Sequence, residues 1–156
     1  MSTSTTTDRV AEVDVRGPRF AAWMTTAVLL IVIVIAALSP AVAAVVLSLQ
    51  AIAFAVGAVF GPRRHPYGLV FAKLVAPRLG PVREREPVAP LRFAQLVGFV
   101  FAIGGIIGFA VGPFVLGVVA TSFALAAAFL NAAFGICLGC QIYPLLARLR
   151  RGPLPT

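Results

Sequence analysis

The sequence predicts an all-α membrane protein: four transmembrane helices arranged as two antiparallel hairpins, with a short interfacial helix in the loop between them. Three observations predict it. Of the 156 residues, 60% are hydrophobic and only 12% are charged, and a single domain of this length has too little interior to hide that apolar excess from water. The apolar residues fall in four runs, each long enough to cross a hydrocarbon layer. The thirteen basic residues all lie outside those runs.

The elements follow in order. Residues 1–14 open Met-Ser-Thr-Ser-Thr-Thr-Thr and read as a disordered tail. A four-span domain occupies residues 15–151, and residues 152–156 form a C-terminal tail. The first span covers 20–38, which at helical rise gives about 28 Å. Ser39-Pro40 follows; Ser is a good helix cap and Pro suits the first helical position, so a second span starts at once and covers 40–60. In the loop 61–92, the segment Pro66 to Ala76 carries Tyr67, Leu69, Val70, Phe71, Leu74 and Val75. It is too short to span and predicts a helix lying in the interface, with Lys73 reaching outward. Pro77, Pro81, Pro87 and Pro90 predict extended chain after it. The third span covers 93–111, Gly112-Pro113 makes a tight turn, and the fourth covers 114–136 and runs into Cys-Leu-Gly-Cys. A short basic tail with Arg148, Arg150 and Arg151 ends the chain.

Charge sets an expected orientation. Three basic residues lie in the N-terminal tail, seven in the long loop and three in the C-terminal tail, and none in the two short turns. Four spans put those three segments on one side, and the positive-inside rule makes that side cytoplasmic. The expected location is the plasma membrane, multi-pass, with both termini in the cytoplasm. The same rule accounts for the net charge of +8 without nucleic acid. Gly104, Gly108 and Gly112 on the third span, and Ala120, Ala124 and Ala128 on the fourth, recur every four residues and predict close packing of those two helices.

No Asp, Glu, Lys, Arg or His lies inside a span, which argues against ion channels, voltage sensing and proton-coupled transport. The polar groups there are Gln50, Gln95 and Asn131, expected to bond between helices. No phosphate loop, dinucleotide fingerprint or Ser-His-Asp set is present, and residue 141 is Gln, so Cys137 and Cys140 are not a haem attachment site. The sequence calls for no cofactor and no metal centre, since two sulfurs alone do not complete a zinc site.

Cys137-Leu-Gly-Cys140 is a C-x-x-C at the inner end of the fourth span. Residues three apart share a helix face, so the sulfurs can meet, and Pro144 places the pair near a break in the helix. Nearby Arg148 favours a thiolate and the end of the fourth helix disfavours it. Three readings stay open: a redox or persulfide-carrying pair, inert small hydrophobes, or part of a metal site. Cys137 and Cys140 are the candidate catalytic residues. Arg63, Arg64, His65, Arg92, Gln95 and Asn131 are candidate binding residues. His65, in Gly-Pro-Arg-Arg-His-Pro-Tyr-Gly, also reads as a turn residue or an interface anchor beside Tyr67.

From Val13 to Leu149 the chain resembles a family of small bacterial four-helix membrane proteins known as a domain of unknown function. The resemblance rests on Arg16-Gly-Pro-Arg-Phe20, Arg92-Phe-Ala-Gln95 and Cys137-Leu-Gly-Cys140. It brings no established activity. It implies association with thioredoxin-like or rhodanese-like proteins, hence thiol or sulfur traffic. The resulting expectation is a cytoplasm-facing thiol-redox or sulfur-relay component with a soluble partner of that kind. The alternatives are a scaffold whose basic loop docks a partner or anionic lipid, and a transporter of a small sulfur species. The lipid bilayer is the partner on this reading, and self-association into a homo-oligomer is compatible with it.

Overall fold

The computed structural model describes residues 11–150. The disorder expected for residues 1–10, Arg151 and the tail 152–156 lie outside the described residues. The order of elements is β1 (Glu12–Asp14), α1 (Arg16–Leu38), α2 (Pro40–Phe60), α3 (Pro66–Val70), β2 (Arg85–Pro87), α4 (Val88–Ala110), α5 (Phe114–Phe134) and α6 (Leu138–Arg150). A π turn over Phe71–Val75 and a 3-10 turn over Ala76–Arg78 continue α3. The protein is all-α apart from the small ribbon, and α1, α2, α4 and α5 are long and apolar enough to cross a membrane.

Local chemistry fixes the helix ends. Ser39 caps α2 by accepting the Val42 amide at 3.4 Å, and Pro40 occupies the first turn. Asp14 accepts the Arg16 amide at 3.0 Å and holds the Arg16 guanidinium at 2.8 Å, so α1 begins at Arg16, before the apolar run itself. The α5 helix stops at Phe134, short of the predicted end at 136, because Gly135 takes φ 68 and only glycine enters that region without cost.

The four long helices close into a ring in which α1 touches α2 and α5, and α4 touches α2 and α5. The most extensive contact is α2 with α4, two helices separated by the long loop. It is built from side chains of α2 seated on glycines of α4: Leu47 against Gly105 and Phe54 against Gly98. The reverse arrangement occurs where Gln95 sits on Gly57. On the α4–α5 side, Gly108 meets the backbone of Gly117, and Gly104 meets Ala120. Gly112 belongs to the turn, against Ile107, and Gly105 reaches Thr121, so the close-packed face on α4 is Gly104, Gly105 and Gly108. Trp23 and Phe129 join α1 to α5 edge to face. Buried positions are largely small or polar, such as Ala43, Ala102, Thr25, Gln50 and Thr121, while Leu30, Val34, Val45, Leu49, Ile52 and Val115 point outward. A surface of that kind suits lipid, where close backbone approach rather than apolar burial holds helices together.

Further features differ from the sequence reading or refine it; α4 starts at Val88 rather than 93, so Pro90 lies in its first turn and not in extended chain. Glu12–Asp14 form a strand paired antiparallel with Arg85–Pro87, Val13 opposite Glu86, so the tail expected to be disordered over 1–14 is tied down at its end. Arg63 donates to the Glu12 carbonyl at 3.0 Å and Arg16 to the Gly80 carbonyl at 3.1 Å, which holds this ribbon on the bundle. The region expected as a short interfacial helix is helical from Pro66 to Arg78, with its hydrogen bonding changing from α3 to a π turn and then a 3-10 turn; Leu69, Val70 and Leu74 are exposed, as is Lys73. The short basic tail is instead the thirteen-residue helix α6, packed on α4. Pro144 lies inside α6 and does not end it.

Candidate functional site

The ends of α1, α2, α4 and α5 nearest the long loop converge with α6, and the sequence-predicted residues are divided among three places there. Cys137 and Cys140 are joined to each other as a disulfide with Cα atoms 5.2 Å apart, within the ordinary range for such a bridge. They do not sit on the end of the fourth span. Gly135 stops α5, Ile136 and Cys137 are non-helical, and Cys140 lies in the first turn of α6. The Cys140 amide donates to Cys137 Sγ at 3.3 Å, and the Gln141 amide to the Cys137 carbonyl at 3.1 Å. Cys137 therefore caps the start of α6 with its sulfur. The sign of the helix dipole at Cys137 is the reverse of that expected from the end of the fourth span: a helix start favours negative charge. Arg19 packs beside Gly135, two residues before Cys137, and adds positive charge to the approach.

Gly139 explains how the pair is held. It is buried, and a methyl group there would fall 2.6 Å from Ala94 Cα, so the first turn of α6 lies directly on the α4 backbone. Phe93 and Tyr143 meet at 5.9 Å on the same interface. Below the disulfide runs a cleft between α1, α4, α5 and α6, lined by Thr25, Gln95, Asn131 and Cys137 together with Phe101 and Phe123.

Gln95 also faces a second cavity, beneath the β1–β2 ribbon, with His65, Arg63, Val13, Phe71 and Arg85. His65 is 1% exposed. Its Nδ1 accepts the Tyr67 amide at 3.2 Å, so the neutral ring carries its proton on Nε2. Burial pushes its pKa down to about 4. The Tyr67 hydroxyl reaches between the helices and donates to Gln50 Oε1 at 2.7 Å, while Gln50 Nε2 points to Thr25 Oγ1 at 3.5 Å. His65 Nε2 and Gln95 Oε1 are buried with no protein partner, and both side chains bear on Gly57.

The remaining candidates lie apart. Arg92 donates from Nε to the Ala58 carbonyl and from Nη2 to the Val59 carbonyl, each at 2.8 Å, which closes the end of α2. Arg64 stands 5.7 Å from the Phe60 ring centre. Among the described residues, no cluster of three or more His, Cys, Asp or Glu side chains could hold a metal ion.

Residues 13–148 match the family described as Domain of unknown function (DUF4395). The chain belongs to this family. No curated protein and no solved structure matches this DUF4395 protein. Sequence reasoning found Cys137, Gln95 and Asn131, which the fold brings to one cleft, and Cys140, which is bonded to Cys137, but missed Tyr67 as an internal hydrogen-bond donor and the whole of α6. The signal for α6 was present: Leu138, Ile142, Leu145 and Leu149 recur at helical spacing, with Arg148 and Arg150 off that stripe.

Proposed function

We propose that this DUF4395 protein is a membrane thiol–disulfide component that works through Cys137 and Cys140, facing the cytoplasm, with a soluble thioredoxin-like or rhodanese-like partner. The observation that carries the reading is the sulfur cap: Cys137 Sγ accepts the Cys140 amide at the start of α6. On reduction, that amide and the helix start favour negative charge on Cys137 Sγ, which makes it the exchanging sulfur. The cycle balances as exchange. A partner thiolate attacks Cys137 Sγ, Cys140 leaves as the other thiol, and a second partner thiolate releases Cys137, so the partner dithiol becomes a disulfide. In the reverse direction Cys137 reduces the partner. A persulfide carried on Cys137 would use the same cap. The orientation follows from the basic residues, all of which the four-span topology gathers on one side.

The docking reading has fewer free groups than its sequence suggests. Arg63 and Arg92 spend donors on backbone carbonyls of this chain. The test is partner trapping. In cells, Cys140→Ser leaves Cys137 unable to resolve a mixed disulfide, so the expected product is a reductant-sensitive adduct with a soluble protein. Cys137→Ser should give none. Equal trapping by both variants, or labelling of the reduced cysteines by an impermeant thiol reagent from outside intact cells, would refute the proposal.

A further inference from the structure

We propose that the cleft beside the Cys137–Cys140 disulfide binds a lipid-soluble quinone, which exchanges two electrons with the cysteine pair. This rests on the reading of the pair as working thiols and names its second substrate.

The cleft has a direction. At the cysteine end Gly139 lies on Ala94; the lining then continues along α4 through Gln95 and Gly98 to Phe101, about 10 Å deeper at helical rise. Asn131 is also at the cysteine end, in the last turn of α5, where its carbonyl accepts the Gly135 amide. The far end is aromatic: Phe101 and Phe123 stack with centres 5.8 Å apart, and Phe123 is 60% exposed on the surface that suits lipid; Phe54 lines the cleft midway, against Gly98. The cleft therefore reaches from the sulfur to the lipid-facing side of the bundle.

Its chemistry narrows the occupant. No lining residue is charged; Arg19 stands outside, beside Gly135, so within the cleft itself the phosphate of a phospholipid or the carboxylate of a fatty acid has no counter-ion. The polar groups at the cysteine end are two carboxamides, Gln95 and Asn131. A carboxamide offers N–H to a carbonyl oxygen and its own oxygen to a hydroxyl, so the same side chain serves a quinone and its hydroquinone. A flat uncharged ring with oxygens at the sulfur end and an isoprenoid tail past Phe101 and Phe123 meets all of these conditions. The electrons also balance. In the dithiol form, Cys137 thiolate adds to a ring carbon. Cys140 thiolate then attacks Cys137 Sγ, the S–S bond forms, the C–S bond breaks, and the electron pair stays on the ring. The two protons shed by the thiols go to the ring oxygens. Two thiols become one disulfide as one quinone becomes one hydroquinone.

The experiment uses the full chain in lipid nanodiscs, reduced, freed of reductant and mixed with decylubiquinone. The expected result is loss of both thiols of the chain's two cysteines, with one equivalent of hydroquinone formed and no covalent adduct by mass spectrometry. Oxidised glutathione is the parallel oxidant. Replacing Gln95 and Asn131 together by Leu should lower the ratio of quinone rate to glutathione rate by about tenfold or more. If glutathione oxidises the pair and the quinone does not, the quinone site is wrong and the thiol reading stands. If neither oxidises it, the thiol reading itself fails. Quinone oxidation with an unchanged rate ratio in the Leu variant, or an arylated cysteine as the sole product, also overturns the site.

Discussion

His65 is the single histidine of the chain, which makes its protonation directly measurable. The perturbation is pH. The ring is 1% exposed, its Nδ1 is committed to the Tyr67 amide, and burial lowers its pKa from 6.5 to about 4. Protonation would put a hydrogen on Nδ1 and break that bond. The sign follows from linkage. Between pH 6.5 and about 4 the released ring binds a proton and the packed ring does not, so the stabilisation is complete above 6.5 and is lost as pH falls toward 4. The drop from 6.5 to about 4 corresponds to about 3.5 kcal/mol at roughly 1.4 kcal/mol per unit. With the ring labelled at 13Cε1 in an untagged protein, one NMR signal should titrate with a midpoint near 4. A peptide carrying residues 60–72 should titrate near the ordinary value. A midpoint of 6 or above in the intact protein would refute the buried, neutral assignment.

Two further perturbations test the packing. In Gly108→Ala the new methyl group meets the Gly117 backbone, so α4 and α5 must separate; overpacking of this kind costs about 1–3 kcal/mol, and thermal unfolding in detergent should drop by several degrees, whereas an unchanged midpoint would mean the helices are not in that contact. In Tyr67→Phe the Gln50 carbonyl loses its 2.7 Å donor and is left buried, a loss of about 1–3 kcal/mol; hydrogen exchange of the α3 amides should accelerate while the middle of α2 stays protected, and identical α3 exchange would show that the bond carries nothing.

The sequence by itself determined the four apolar helices and their turns, because hydropathy, the Ser39 cap and a proline at a first turn are local free energies that act whatever the neighbours are. It also determined which polar side chains are available near the loop, since Gln95 and Asn131 are placed by their distance along their own spans. Three-residue strands leave no alternation to detect, so the Glu12–Asp14 pairing with Arg85–Pro87 became visible only when the loop closed on the start of α1. The buried chain from His65 through Tyr67 to Gln50 needed two segments to meet, and an isolated Tyr after a proline reads equally well as an interface anchor. The cysteines mark the division most sharply. Their spacing was legible, but whether they end one helix or begin another turned on Gly135 adopting a left-handed stop and Gly139 seating α6 on Ala94. The first reverses the local dipole at Cys137, and the second lays the start of α6 against α4 beside the cleft that Cys137 lines. Both are consequences of how the helices pack, and both decide what the pair can do.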